Sequence, residues 1–449
     1  MRGLLLRLVR ALARLFYRRL EVTGLPNVPG EGPVLLVANH ANGLVDPMII
    51  LTVLSRPVVF VAKSTLWKIP GLRSVLDLLG CVPVVRRHET NAEGGPSGEQ
   101  RNAASLERLA GVLRDGGAVL IFPEGRSHSD PHLSGIRTGA ARILLLAGAS
   151  LPVVPIGLWF TKKEEFRSDV LVRIGPPVAP PEERSVAAWT ERIEHALLDV
   201  TLNADDWKDH DVVAAVEALY GRSVERAFLE GGEGGGLLDR SFRVRQVLLS
   251  ARRLLSAREP DAVAQLARRA RTFDHLLRRI GFSPAALDDP PSPGTILWNI
   301  VKGLLVVLLG FPIAVLGVVA FWIPYRLCGF VANRVPGAAS SRDQIALYKL
   351  LAGIVLFPVG LSADATLAWR AGGALWAAAA IVLLPLAGIV ALKYLEHAEW
   401  RERQARELLT LALFPGRLAR LRARRDALVA ECDRLAAIAG AAVGENPPE

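Results

Sequence analysis

A histidine and an aspartate six positions apart, His40 and Asp46, stand in the run Asn39-His40-Ala41-Asn42-Gly43-Leu44-Val45-Asp46-Pro47. A histidine with a carboxylate in reach is a poised general base, because the acid fixes the imidazole tautomer and stabilises its protonated form. On a continuous helix this separation would turn the two side chains away from each other. They meet only where the chain turns, and Asn42-Gly43 is a turn-forming pair. A second reading competes: Asp before Pro is also how helices start, with Asp46 as N-cap and Pro47 at the first helical position. One carboxylate oxygen can serve each role, so the readings are compatible.

Downstream, Phe122-Pro123-Glu124-Gly125-Arg126-Ser127 follows an apolar run, where α/β sheets place their ligands. Gly125 lets backbone approach a ligand closely, and Arg126 offers a planar fork for a phosphate. Glu124 is placed to bind a hydroxyl or to fix Arg126; an ordinary polar turn with a local ion pair is the plain alternative. Arg86 and Lys63, each closing an apolar run, are further phosphate-ligand candidates, set against the ordinary reading of solvated strand-end cations. His128, Asp130 and His132 are metal-ligand types within five residues. Their spacing does not lift them above a polar loop, and no metal is expected.

The elements that must position these residues are short. Runs at 33–38, 58–62, 81–85, 118–122, 153–158 and 170–174 read as strands, each rich in apolar residues and bounded by Gly, Pro or charge. Helical periodicity occupies 47–54, 103–114 and 137–149 between them. This alternation predicts an α/β sandwich with a mixed, mostly parallel and largely buried sheet. Residues 88–100, with Gly94, Gly95 and Gly98, read as a flexible loop beside the site.

At 449 residues the chain exceeds one ordinary domain. Its mean hydropathy of +0.29 is high for a soluble protein, and the excess lies after residue 295. A formal charge of +10, mostly arginine, suits anionic partners. The basic clusters flank membrane-length apolar stretches and aromatics are sparse, which favours a lipid surface and argues against nucleic acid. Cys81, Cys328 and Cys432 are too scattered for a disulfide framework or a metal site. They read as buried or membrane thiols of a protein facing a reducing cytoplasm.

Five regions follow. Residues 1–20 form a basic amphipathic helix: Arg7, Arg10, Arg14 and Arg18 interrupt the apolar run, so it is no signal peptide. It lies either in a membrane interface or on its own domain. Residues 21–205 form the α/β domain and 206–290 a helical linker region, with Gly231–Gly236 a linker by composition. Residues 291–395 hold apolar stretches at 296–324, 345–361 and 372–392. Basic flanks on both sides call for an even number of crossings. The expectation is a hairpin of the last two, Asp364 and Arg370 lying in its loop, with 296–324 entering and returning at Gly310-Phe311-Pro312. The tail, 396–449, has heptad-like leucines, an exposed helical pair and a candidate homodimer contact.

Four blocks, taken in order, resemble the motifs of the phospholipid and glycerol acyltransferase superfamily: Asn39-His40 with Asp46; Gly80-Cys81-Val82-Pro83-Val84-Val85-Arg86; Phe122 to Ser127; and Val154-Pro155-Ile156-Gly157-Leu158. The resemblance covers about residues 20–180. It implies that His40 is the general base and Asp46 its orienting partner. By the same resemblance Arg86, Glu124, Gly125 and Arg126 bind the phosphate and hydroxyls of an acceptor, and Pro155 shapes an acyl-binding wall. It implies direct transfer from acyl-CoA or acyl-carrier protein, with no covalent acyl-enzyme, no metal and no further cofactor. The usual first motif has four residues between His and Asp; here there are five. A subset resembling the yeast-type glycerol-3-phosphate and dihydroxyacetone-phosphate acyltransferases has that spacing. The acceptor therefore stays open between lysophosphatidate and glycerol 3-phosphate or dihydroxyacetone phosphate. The expected location is a bacterial inner membrane or its equivalent, with the α/β domain cytoplasmic. A membrane-lipid-binding or remodelling protein, with a degenerate α/β domain and the helical tail as its working part, is the alternative from another class.

Overall fold

Strands without polar residues can be buried on both faces. Two such runs, β2 (Val34–Ala38) and β5 (Ala118–Ile121), are buried at every position and occupy the middle of a seven-stranded sheet. The computed structural model describes residues 2–68, 72–84, 98–148, 151–230, 235–280, 293–334, 345–413 and 415–445. The other strands are β1 (Arg19–Thr23), β3 (Val58–Lys63), β4 (Val82–Val84), β6 (Val153–Phe160) and β7 (Asp169–Ile174), in the order β1-β7-β6-β2-β5-β3-β4. Every neighbouring pair is parallel except β6 with β7. The mixed, mostly parallel sheet is as expected, with β1 added at the edge beside β7.

Parallel strands end on the same side. The carboxyl ends of β4, β3, β5, β2 and β6 therefore share one edge of the sheet. Lys63 closes β3, His40 follows β2 and Glu124 follows β5. The direct pairing of Val37 with Ile121 sets the last two loops side by side. One face of the sheet packs on α4 (Gly98–Arg114), α5 (Gly139–Ala147) and α6 (Val186–Val200), through Leu109, Leu113, Ile143, Leu144, Trp189 and Ile193. Residues of the other parity, such as Leu36, Leu120 and Ile156, point the other way and are equally buried. The N-terminal helix α1 (Arg2–Phe16) packs on α2 (Val45–Val53) and buries Ala13 and Phe16, while Leu4, Leu8 and Leu15 stay exposed. It thus rests on its own domain by one face and keeps an exposed leucine and arginine face. A short helix not expected from the sequence, α3 (Leu72–Leu79), precedes β4. Residues 85–97 lie outside the described residues, and with them most of the expected loop 88–100 and Arg86.

The chain divides into two units. The first is Met1–Asp205 with Gly235–Phe242 and Pro336–Leu347; the rest forms the second. In the second, α7 (Trp207–Glu230), part of α8 (Leu237–Arg258), α9 (Pro260–Ile280) and α13 (Pro415–Glu445) build a helical core. It contains Leu219, Leu255, Ala270, Phe273 and Leu277 together with Leu421, Leu428, Cys432 and Leu435 of α13. The heptad-like leucines proposed for dimerisation are thus used within the chain. All three cysteines are buried, and burial pushes the Cys432 thiol up to about 12.

The apolar region consists of α10 (Pro293–Arg334), α11 (Ile345–Gly372) and α12 (Ala374–Leu413). Among the described residues it offers three segments long and apolar enough to cross a membrane: Gly310–Arg334, Ile345–Gly372 and Ala374–Glu396. Two expectations are corrected. The helix α10 runs straight through Gly310-Phe311-Pro312 instead of breaking there. Proline breaks helices in water, but an apolar surrounding gives the freed backbone no solvent to turn to, and neighbouring helices support the turn. Asp364 and Arg370 lie inside α11, not in a loop; that helix ends at Gly372, and the φ of +81° at the next residue, Gly373, is a left-handed stop.

Candidate active site

Asn39 extends β2 by one residue through its side chain. Its Oδ1 accepts from the Leu158 amide at 2.7 Å and its Nδ2 donates to the Leu158 carbonyl at 3.2 Å, continuing the β2–β6 pairing. The chain then turns at Gly43, whose φ is +47°. That turn brings His40 Nδ1 to 2.8 Å from Asp46 Oδ2. The same oxygen accepts from the Asn42 amide at 2.7 Å. Asp46 is not the N-cap: α2 begins at Val45 after Leu44, with no side-chain cap, and Asp46 lies in the first turn reaching back to Asn42. Asp46 is fully buried, and burial pushes its carboxyl up; the His40 hydrogen bond and charge, the Asn42 amide and the Lys163 charge oppose that rise. Behind it, buried Tyr17 accepts from Asn42 Nδ2 at 3.3 Å. Burial and the Asp46 charge hold the Tyr17 hydroxyl far above its ordinary range, so it stays protonated.

The loop after β5 holds His40 on the other side. The imidazole stacks on Phe122 with ring centroids 4.2 Å apart. The His40 amide donates to Glu124 Oε1 at 2.6 Å, and the His128 amide donates to the His40 carbonyl at 3.1 Å. Glu124 Oε2 receives the Ser134 amide at 2.8 Å and the His128 imidazole. Both Glu124 oxygens are therefore engaged by the protein, and the carboxylate ties the His40 turn to its own loop. Burial acts to raise the Glu124 carboxyl, but the His128 hydrogen bond and charge, with the amides of Ser134 and His40, outweigh it and hold it below its ordinary range. His128 Nε2 faces Glu124, and its Nδ1 lies 3.1 Å from the Asp130 amide nitrogen and 3.2 Å from Asp130 Oδ2.

Gly125 has a φ of +70°, and its amide closes a turn on the Phe122 carbonyl at 3.0 Å. The Arg137 side chain lies across it, with Nε donating to the Glu124 carbonyl at 3.2 Å. Arg126 is exposed and its Nη2 lies 3.4 Å from Asp130, leaving it reachable from solvent at the sheet edge. Lys63 stands at the same edge, at the end of β3. Pro155 is buried within β6, paired with Val37 and packed near Gly175. Among the described residues no group of three His, Cys, Asp or Glu side chains is arranged to hold a metal, and His128 turns to Glu124.

Lys163 and His128 also belong to the network, and sequence reasoning missed both as partners of His40. Lys163 Nζ donates to Ser129 Oγ at 2.6 Å, to the Ala41 carbonyl at 3.1 Å and to the His128 carbonyl at 3.3 Å. Its position just past β6, parallel to β2, was the only signal available.

Residues 19–159 match the family model described as Acyltransferase. The chain is similar to the 1-acyl-sn-glycerol-3-phosphate acyltransferase of Borreliella burgdorferi, 29% identical over 161 residues, covering 35% of this chain and 59% of that protein. It is also similar to glycerol-3-phosphate O-acyltransferase 2 of Saccharomyces cerevisiae, 33% identical over 26% of this chain and 18% of that protein. Among solved structures, the 1-acyl-sn-glycerophosphate acyltransferase of Thermotoga maritima aligns with 44% of this chain and 78% of its own, at 22% identity and a TM-score of 0.34. The chain thus spans less than two thirds of the curated relatives it matches. Motif residues from His40 to Arg126 all fall inside residues 19–159, the segment that matches the Acyltransferase family model.

Proposed function

We propose that the protein transfers a fatty acyl group from an acyl thioester, acyl-CoA or acyl-carrier protein, to a hydroxyl of a phosphorylated glycerol at a membrane surface. The His40–Asp46 pair carries this reading. With Nδ1 held by Asp46, the other imidazole nitrogen, Nε2, is the one left to take the acceptor's proton. The freed alkoxide oxygen attacks the thioester carbonyl, a tetrahedral oxyanion forms and collapses, the C–S bond breaks, and the imidazolium returns its proton to the departing thiolate. Asp46 stabilises the imidazolium while it lasts. Arg126 and Lys63, cations at the same sheet edge, are the described candidates to receive the acceptor phosphate, and Arg86 is a third from outside the described residues. The apolar helices and the exposed leucines of α1 support a membrane location; we assign the catalytic unit to the cytoplasmic leaflet, from which an amphiphilic acceptor would be drawn.

Lysophosphatidate is the favoured acceptor, as in the name of the Borreliella relative. Glycerol 3-phosphate is the second reading, supported by the five-residue His–Asp spacing and the similarity to the yeast protein. The test is to supply purified full-length protein with one labelled acyl-CoA and each acceptor in turn, and to identify the product. Labelled phosphatidic acid is expected with lysophosphatidate, falling by about 10²–10⁴-fold in His40→Ala. Undiminished turnover in a folded His40→Ala protein removes the mechanism. Lipid binding without transfer from any donor favours a non-catalytic lipid-binding protein.

A further inference from the structure

Lys163 follows β6, outside the four motif blocks, yet its ammonium touches the loops on both sides of the imidazole. Its three donors meet three acceptors: the Ala41 carbonyl at 3.1 Å, next to His40; the His128 carbonyl at 3.3 Å; and Ser129 Oγ at 2.6 Å. An ammonium matches three divergent acceptors, as a planar guanidinium or an amide does not. The backbone joins in, because the Lys163 carbonyl accepts from Asn42 Nδ2 at 3.1 Å, and the Asn42 amide in turn holds Asp46. We propose that Lys163 is a positioning residue of the acyl-transfer site, clamping the His40–Asn42 turn onto the His128–Ser129 turn so that His40 keeps its pose toward Asp46 and the acceptor. It rests on the acyl-transfer reading given above. The positive charge of Lys163 also acts on buried Asp46 in the direction of its ionised form.

The neighbouring Lys162 supplies an internal control, since it is exposed and pairs only locally with Glu165 at 2.9 Å. The experiment compares full-length wild type, Lys163→Met, Lys163→Arg and Lys162→Met in the assay above, and records histidine imidazole resonances of each protein with ¹⁵N-labelled histidine. Lys163→Met is expected to lower kcat roughly 10- to 100-fold, the order lost when a site residue is slightly misplaced. The KM for the phosphorylated acceptor should stay within about twofold, because the clamp does not touch the phosphate. Lys163→Arg should recover part of kcat, and Lys162→Met should match wild type. The His40 Nδ1 proton signal, assigned by its absence in His40→Ala, should shift or broaden in Lys163→Met alone. Wild-type kcat in Lys163→Met, or an unchanged His40 signal, overturns the proposal. Should Lys163→Met fail to fold, Lys163→Gln carries the same test with the same outcomes. If wild type transfers no acyl group, the functional reading fails, and the His40 resonance still decides whether Lys163 positions that residue.

Discussion

The proposed general base, His40, is held by more of its surroundings than a two-residue motif conveys. His40 has its amide on Glu124, its carbonyl on the His128 amide, its ring on Phe122 and its Nδ1 on Asp46. Glu124 therefore links pH to the site. Its carboxyl lies below the ordinary range when folded, so the ionised form stabilises the fold. That contribution is fully present above the unfolded value of about 4.3 and is lost as pH falls through the folded value. Glu124→Gln is expected to be less stable than wild type at neutral pH and to converge with it in acid. Thermal unfolding measured from pH 7 downward checks this, and a constant gap between the two proteins would contradict it. The types and order of His40, Asp46, Glu124 and Arg126 were legible in the sequence because they lie in compact motifs. Lys163 and His128 were not, since each acts through a contact that exists only after strands far apart in sequence pair. Nor were the partners of Glu124, which come from the His40 turn and from His128 and Ser134 of its own loop.

Among the elements, the buried strands were the easiest to read and the edge strand the hardest. β2 and β5 are wholly apolar, whereas β1 (Arg19-Leu20-Glu21-Val22-Thr23) mixes charge and threonine because it is partly exposed at the sheet's edge. Its place is secured by contacts that no local pattern reveals, with Arg18 donating to both Asp169 oxygens at 3.0 and 2.6 Å. The fourth motif block owes its small residue to packing. A Cβ on Gly157 would stand 1.7 Å from the carbonyl oxygen of Val200 at the end of α6, backbone that cannot swing aside. Gly157→Ala must therefore push α6 from the sheet or bend β6, an overpacking cost of about 1–3 kcal/mol or more. A lowered thermal midpoint is expected, together with lost activity, because β6 also carries the pairing with Asn39. A midpoint equal to that of wild type would show that α6 yields without cost.

At the scale of the molecule, the helical unit constrains how the chain meets a bilayer. Segments before and after the apolar region share one core: Ala270, Phe273 and Leu277 of α9 pack with Leu428, Cys432 and Leu435 of α13. A common core cannot form across a membrane, so α9 and α13 lie on the same side and the number of crossings between them is even. Among the described residues three helices are long enough to cross, so at least one makes no net crossing. Gly310 meets Tyr394, and Gly317 meets the Ala387 backbone, so α10 and α12 run antiparallel in close contact. Small residues at such a crossing are what allow membrane helices to approach. The pairing sets the Gly310 end of α10 beside the Tyr394 end of α12, and α11 between them carries Lys349, Asp364 and Arg370. Charge counting gave the same even number, and the continuous α10 removes the break it placed at Pro312. Single cysteines at Ser256, Ala371 and Ala427, in protein lacking its three native thiols, should separate in sealed vesicles treated with a membrane-impermeant maleimide. Ser256→Cys and Ala427→Cys are expected to share one accessibility and Ala371→Cys to show the opposite. Ala427→Cys on the face opposite Ser256→Cys would mean three crossings and would break the shared core. All three on one face would mean that α12 makes no net crossing.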